Sequence, residues 1–296
     1  MDPQSDLTRR LKAQIDDLPP RLKHVAKYII DHPSDFALDP VRVTARKTGV
    51  SANSLVRLAE KMGFTGFDAF RTPFRQALAS DPGTQSGNWL ERLEQDTQTS
   101  QAQAAMARNE IDIVTRSLRL LSQDRLNRTV TALTRARTAY VTATRGSYAL
   151  AYYLHYVGRM ALPGLELIPR HMGTATDELL DIGPEDCLLA ITFSPYSTET
   201  IQSMRLARER GATLILLSDS EVIAPRIDPD IVLHVATRSA HGFDCYAGAM
   251  AVLDCLVGHL FETGGAAAQD RMTRYQALRD TTGAYWKPPR APKLRG

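Results

Sequence analysis

Apolar residues Leu22, Val25, Ala26, Ile29 and Ile30 recur at helical spacing behind the Pro19-Pro20 dipeptide, and the stripe ends at His32-Pro33. A second helix is expected from Asp39-Pro40, an N-cap acid followed by proline, to Gly49. A third should run from its Ser51 cap to about Met62, closed by Gly63. Three short helices with a tight Gly49-Val50 turn between the last two make a helix-turn-helix. Asp81 to Gly87 is rich in turn formers and poor in apolar residues, which predicts an interdomain linker. From Asn88 to Leu121 the chain holds neither glycine nor proline and reads as one uninterrupted helical stretch.

Beyond that stretch the pattern changes. Strand-like apolar runs lie at Ala139 to Ala143, Leu165 to Ile168, Cys187 to Thr192, Thr213 to Leu217 and Ile231 to Val235. Helix-length segments separate most of them, notably Tyr148 to Met160 and Thr198 to Arg210, and a further one follows the last strand from Asp244 to Phe261. This alternation predicts a parallel sheet covered on both faces. The fold class is therefore a two-domain chain, an all-α helix-turn-helix domain followed by an α/β domain. The partition expected is the helix-turn-helix domain over 1–80, a linker and connecting helix over 81–125, the α/β domain over 126–264, and a C-terminal helix with a proline-rich basic tail over 265–296.

Composition adds little until it is localised. The whole chain carries 36 basic and 33 acidic residues, a formal charge of +3. Between Pro40 and Arg75, however, seven basic residues stand against two acidic ones, a net of +5. That is an electrostatic footprint suited to phosphates. The three cysteines, Cys187, Cys245 and Cys255, show no Cys-x-x-Cys or His-paired spacing, so neither a disulfide framework nor a metal site is expected. The N-terminus lacks a basic start followed by an apolar run, and no apolar run is long enough to span a bilayer. A cytoplasmic protein without membrane association is the expectation.

On the third helix Leu55, Leu58, Ala59 and Met62 form an inward stripe, while Asn53, Arg57 and Glu60 face away, flanked by Ser54 and Lys61. A recognition helix needs this division, one face on the core and the other offering donors to base edges. Asn53 can pair with adenine and Arg57 with guanine, whereas Ser51 and Lys61 suit phosphates. The bland alternative is a solvated face. Leu18-Pro-Pro-Arg-Leu-Lys-His-Val-Ala-Lys-Tyr-Ile-Ile-Asp-His-Pro, followed from Thr48 by Gly-Val-Ser-Ala-Asn-Ser-Leu-Val-Arg-Leu-Ala-Glu-Lys-Met-Gly-Phe, resembles the N-terminal domain of the RpiR family of bacterial regulators over roughly residues 1–78. One departure is Thr44, where that family usually places leucine; it leaves room for a loosened second helix.

The segment from about Leu126 to Phe261 resembles the sugar isomerase (SIS) domain that follows this helix-turn-helix in the RpiR family. The resemblance implies a five-stranded parallel sheet, dimerisation, and a phosphosugar site at the loops after the first and third strands. Those loops are Ala143-Thr-Arg-Gly-Ser147 and Phe193-Ser-Pro-Tyr-Ser-Thr-Glu-Thr200. Each feeds a helix, and open α/β sheets bind ligands beyond the carboxyl ends of their strands. By correspondence with the family loop, Ser194, Ser197 and Thr198 are the phosphate candidates, joined by Arg145 and Ser147 from the first loop. Pro195 stands where the family commonly has glycine, and the first loop has only Gly146. For each hydroxyl, a turn or cap role is the plain alternative.

Two further classes compete with this reading. A sugar-phosphate isomerase would need a base positioned to move a proton, for which Glu199 and His241 are the residues available, although both suit structural roles. It would also have no use for a DNA-reading domain. A purely structural DNA-binding protein would leave the loop-rich α/β half without a purpose. The reading is a regulator of carbohydrate or related catabolic genes, without catalytic residue, metal or cofactor. Its expected partners are double-stranded operator DNA, a small phosphorylated or otherwise anionic effector, and copies of itself in a homodimer or homotetramer.

Overall fold

The structure is a computed structural model that describes residues 3–80 and 88–285. The predicted linker and the basic tail from Lys287 lie outside the described residues. The chain divides into two compact units, with the break at Arg92/Leu93.

The first unit is helical: α1 (Pro3–Gln14), α2 (Pro20–Asp31), α3 (Pro33–Leu38), α4 (Val41–Thr48), α5 (Ala52–Lys61) and α6 (Phe67–Ser80). Three of these, α2, α4 and α5, match the sequence expectation. Pro33 ends α2 as read, but it also opens α3, because proline fits the first helical position as well as it terminates the preceding turn. Asp39 is not the cap of α4. Pro40 holds the N-cap position without a side-chain bond, and the Asp39 carboxylate lies 2.8 Å from Lys47 Nζ instead. Gly49 closes α4 in the left-handed region, φ 65°.

The core of this unit is aromatic at its centre. Phe36 of α3 meets Phe67, Phe70 and Phe74 of α6 edge-on, at centroid distances of 5.5, 5.5 and 5.1 Å. Val25, Ile29, Leu55, Leu58 and Met62 close around them. Thr44 does not loosen α4. It is fully buried, its Oγ1 reaches back to Pro40 O at 3.4 Å, and Thr48 Oγ1 donates to Thr44 O at 2.7 Å.

The second unit begins with α7 (Asn88–Glu94), which crosses the break, then α8 (Gln98–Leu120) and α9 (Gln123–Arg135). The single helix expected over Asn88–Leu121 is therefore interrupted. Thr97 caps α8 by accepting from Ser100 N at 3.3 Å, and Asp96 accepts from Ser100 Oγ at 2.9 Å. A local N-cap signal outweighs the absence of helix breakers.

There follow β1 (Ala139–Ala143), α10 (Tyr148–Gly158), β2 (Leu165–Ile168), β3 (Cys187–Ile191), α11 (Thr198–Glu209), β4 (Thr213–Ser218), β5 (Ile231–His234) and α12 (Ala247–Thr282). The sheet is entirely parallel in the order β2-β1-β3-β4-β5, with Val141 opposite both Leu167 and Leu189. Val141, Leu189, Ile215 and Leu233 pack on one face under α9, α10 and α12, while Leu188, Leu214 and Leu216 pack on the other against Met204 and Ala207 of α11. Burial from both sides explains why these strands are continuous apolar runs. α12 kinks at Gly265, φ 50° and ψ −132°, and continues well past Phe261.

The buried Asp186 fastens the amino ends of β1 and β3. It accepts from Arg137 Nε (3.0 Å) and Nη2 (2.7 Å), Thr138 N (3.1 Å) and Gly183 N (2.9 Å). Among the described residues no helix is long and apolar enough to cross a membrane, and no cluster of His, Cys, Asp or Glu has metal-binding geometry.

Candidate DNA-reading and effector sites

In the helical unit, Ser51 caps α5, its Oγ accepting from Ser54 N at 3.3 Å and lying 3.0 Å from Ser54 Oγ. Leu55, Leu58, Ala59 and Met62 are buried, and Asn53, Arg57 and Glu60 are exposed, as the pattern requires. Asn53 and Arg57 stand one turn apart, on the same side of the helix. Lys61 lies at the other end and donates to Asp17 O at 3.2 Å.

The local positive charge is more selective than a count implies. Lys47 is held between Asp35 (2.9 Å) and Asp39 (2.8 Å), and Arg71 between Asp68 (2.7 Å) and Asp39 O (2.5 Å). The side chains of Arg42, Arg46, Arg57 and Arg75 are exposed and, among the described residues, have no hydrogen bond or ion pair. These arginines, and Lys61, whose partner is a neutral backbone carbonyl, keep charge to offer an external phosphate, since a cation already neutralised by a neighbour releases few counterions.

In the α/β unit the chain reverses its direction of travel across the sheet between β1 and β3, and the loops after these two strands lie side by side at their carboxyl ends. Thr144 Oγ1 and Thr200 Oγ1 meet across the loops at 3.5 Å. Arg145 adopts φ 52°, a left-handed conformation uncommon for a residue with a side chain. Its guanidinium is exposed and, among the described residues, has no partner.

The five candidates fare differently. Ser147 Oγ donates to Thr144 O at 2.8 Å, a turn bond. Ser194 is exposed, and its backbone N–H donates to Asp219 Oδ1 at 3.3 Å, so the carboxylate holds a donor that an anion would otherwise use. Ser197 is 6% exposed and occupies the N-cap of α11, yet its hydroxyl neither caps the helix nor finds any other partner among the described residues. Thr198 opens α11 on the exposed side. The first turn of a twelve-residue helix thus keeps its backbone donors beside a partnerless buried hydroxyl.

Sequence reasoning missed Tyr246 and Asp219. Tyr246 stacks on Phe193 at 4.9 Å, and a Cβ placed on Gly146 would lie 3.6 Å from its ring, so this tyrosine touches both loops. Burial first, then the charges of Asp244 and Asp219, raise its pKa. No motif links Tyr246 to Gly146 or Phe193; they meet only because the sheet gathers its loops at one end. Glu199 and His241, considered as proton-transfer residues, are both exposed, with no side-chain hydrogen-bond partner among the described residues.

A helix-turn-helix with a capped second helix, followed by a parallel-sheet domain, is the domain order of a one-component transcription regulator. Comparison with known proteins supplies the family. Residues 5–81 match the helix-turn-helix domain of the rpiR family, and residues 132–257 match the SIS domain. The chain belongs to the RpiR-type helix-turn-helix regulators and is a DNA-binding transcription regulator.

An uncharacterized HTH-type transcriptional regulator of Escherichia coli (strain K12), YfhH, is 24% identical over 275 residues, covering 91% of this chain and 96% of that one. The Bifunctional protein glk of Paraburkholderia xenovorans (strain LB400) is 24% identical over 217 residues, and there the match spans only 33% of the relative's length. Among solved structures, the sugar isomerase domain of the RpiR transcription factor from Sphaerobacter thermophilus matches 58% of this chain and 97% of its own, with a TM-score of 0.54 and 24% identity. The Vibrio vulnificus NanR protein complexed with ManNAc-6P matches 93% of this chain and 99% of its own, with a TM-score of 0.54 and 20% identity.

Proposed function

We propose that this regulator binds operator DNA through Asn53 and Arg57 of α5, and that a phosphosugar-like anion held between loops 143–147 and 193–200 sets its operator affinity. The observation that carries the sensor half is the α11 N-terminus. Among the described residues Ser197 is buried without a partner beside helix donors that no side chain caps, and Arg145, in a left-handed conformation, keeps its guanidinium unpaired nearby in the first loop. The sugar-phosphate ligand in the NanR complex supports the same chemical class here.

Ser197, Thr198 and the first amides of α11 take the anion and Arg145 adds charge, while Ser147 shapes the first loop and Ser194 stands at the rim, its amide committed to Asp219. On the DNA side Ser51 and Ser54 secure the start of α5, and Lys61 ties its end to Asp17. The protein acts as a cytoplasmic homodimer or homotetramer, with DNA reading in 1–80 and sensing in 126–264, and it is not an enzyme. Glu199 and His241 lack the positioned partners that proton transfer between adjacent carbons requires.

The test is thermal denaturation of the full chain with N-acetylmannosamine 6-phosphate, glucose 6-phosphate and inorganic phosphate, alongside an aldose-ketose turnover assay. Saturable stabilisation by at least one sugar phosphate without turnover is the expected result. Turnover, or no stabilisation by any phosphorylated sugar, overturns the reading.

A further inference from the structure

Helix α8 grips the segment 236–246 along most of that segment's length. Asn109 accepts from Ala240 N at 2.9 Å and donates to Arg238 O at 3.3 Å. The Glu110 carboxylate accepts from Cys245 Sγ at 2.8 Å. Ser117 Oγ accepts from Ala236 N at 3.0 Å, and beside it Gly248 of α12 lies so close that a Cβ there would stand 2.9 Å from Ser117 Cβ. The segment is closed on itself as well, with Cys245 N donating to Thr237 O at 2.8 Å.

The next residue is Tyr246, which stacks on Phe193 and lies against Gly146. One segment therefore joins α8 to both effector loops. A helix moves as a body and these bonds are directional, so a shift of Tyr246 strains them or carries α8 along. In the sequence α8 follows the helix-turn-helix domain with only the linker and the short α7 between them.

We infer that α8 responds to the state of the effector loops, with Asn109 and Glu110 as positioning residues that keep Tyr246 coupled to the helix. This rests on the reading of the two loops as the effector site, but its mechanical core does not depend on which ligand binds there. Coupling must run through an element that the site can bias, and the Tyr246 segment touches both loops while it is bonded to α8.

Amide hydrogen exchange on the full chain tests it in two arms. Without any ligand, Tyr246→Ala should speed exchange along α8 around Asn109 to Ser117 by about fivefold or more, the lower end of ordinary coupling strengths. Unchanged exchange in α8 overturns the inference. In the second arm, inorganic phosphate should slow exchange both at 194–200 and along α8 in the wild type. With Asn109→Ala and Glu110→Ala combined, the slowing at 194–200 should persist while that along α8 is lost; Asn109→Asp, which still accepts from Ala240 N, should restore part of it. Slowing along α8 that survives the double substitution contradicts the inference. Failure of phosphate to slow 194–200 at all counts instead against the effector site, leaving the Tyr246→Ala arm to decide the coupling.

Discussion

The ring of Tyr246 stacks on Phe193 with 4.9 Å between centroids and 29° between planes. This contact joins residues from two loops that are more than fifty positions apart in the chain, and it sets the wall of the candidate effector site. Replacing Tyr246 with leucine keeps the apolar bulk but removes the aromatic contact, which contributes about 0.5 to 1.5 kcal/mol beyond burial. The variant should fold with a slightly lower denaturation midpoint and bind sugar phosphates more weakly. Calorimetric titration checks the second expectation, and unaltered affinity would place the wall elsewhere.

Ser197→Ala separates stability from binding. A buried hydroxyl without a partner contributes nothing that its removal would lose, so the free protein should be as stable as the wild type or slightly more so. Stabilisation by sugar phosphate should fall. A drop in the stability of the free protein of more than about 1 kcal/mol would show that the hydroxyl is satisfied in solution.

Arg145 tests whether its left-handed backbone is retained for its side chain. Alanine removes the guanidinium and keeps the unfavourable φ, whereas glycine removes both. Arg145→Gly should therefore be at least as stable as Arg145→Ala, by up to about 1 kcal/mol, and both should lose anion response equally. Urea titrations of the two variants make the comparison.

Asp186 gives a pH signature. Burial pushes its pKa up, but the hydrogen bonds from Arg137, Gly183 and Thr138 and the Arg137 charge outweigh that, and the net shift is below the ordinary 3.8. A carboxylate with a depressed folded-state pKa contributes stability that is complete above its unfolded-state pKa and is lost as pH falls through the folded value. Asp186→Asn should thus be less stable than the wild type at neutral pH, and the gap should narrow only in acid, below the usual carboxylate range. A gap that does not change with pH would contradict the assignment.

How much of this could be read beforehand depends on the range of the signal. Gly49, Ser51 and Gly63 bound α4 and α5 by local backbone chemistry, and all five strands stood out as apolar runs because both faces of the sheet are covered. α3 was hidden behind Pro33, which looks like an end when it is also a beginning. The break at Thr97 was hidden because capping by a threonine side chain leaves no gap in a helical pattern. At the candidate sites the hydroxyl types were visible but their partners were not. Whether Ser147 bonds Thr144, or Lys61 reaches Asp17, depends on the placement of side chains that no spacing encodes. Tyr246 and Asp219 arrive at the effector loops through the topology alone.

The most direct test of the account is fluorescence anisotropy of labelled duplexes from the promoter region beside the protein's own gene, titrated with the full chain at several salt concentrations, with and without sugar phosphate. Arg57→Ala should cost about 1 to 3 kcal/mol on the preferred duplex and relax its specificity, whereas Arg46→Ala and Lys61→Ala should each weaken all duplexes and reduce the salt slope by about 1, because the bond from Lys61 to the backbone carbonyl of Asp17 leaves its charge unneutralised. Salt-dependent, sequence-selective binding that shifts when a sugar phosphate is added is the result the account predicts. Binding that is indifferent to sequence and to every sugar phosphate, or no duplex binding at all, would contradict it.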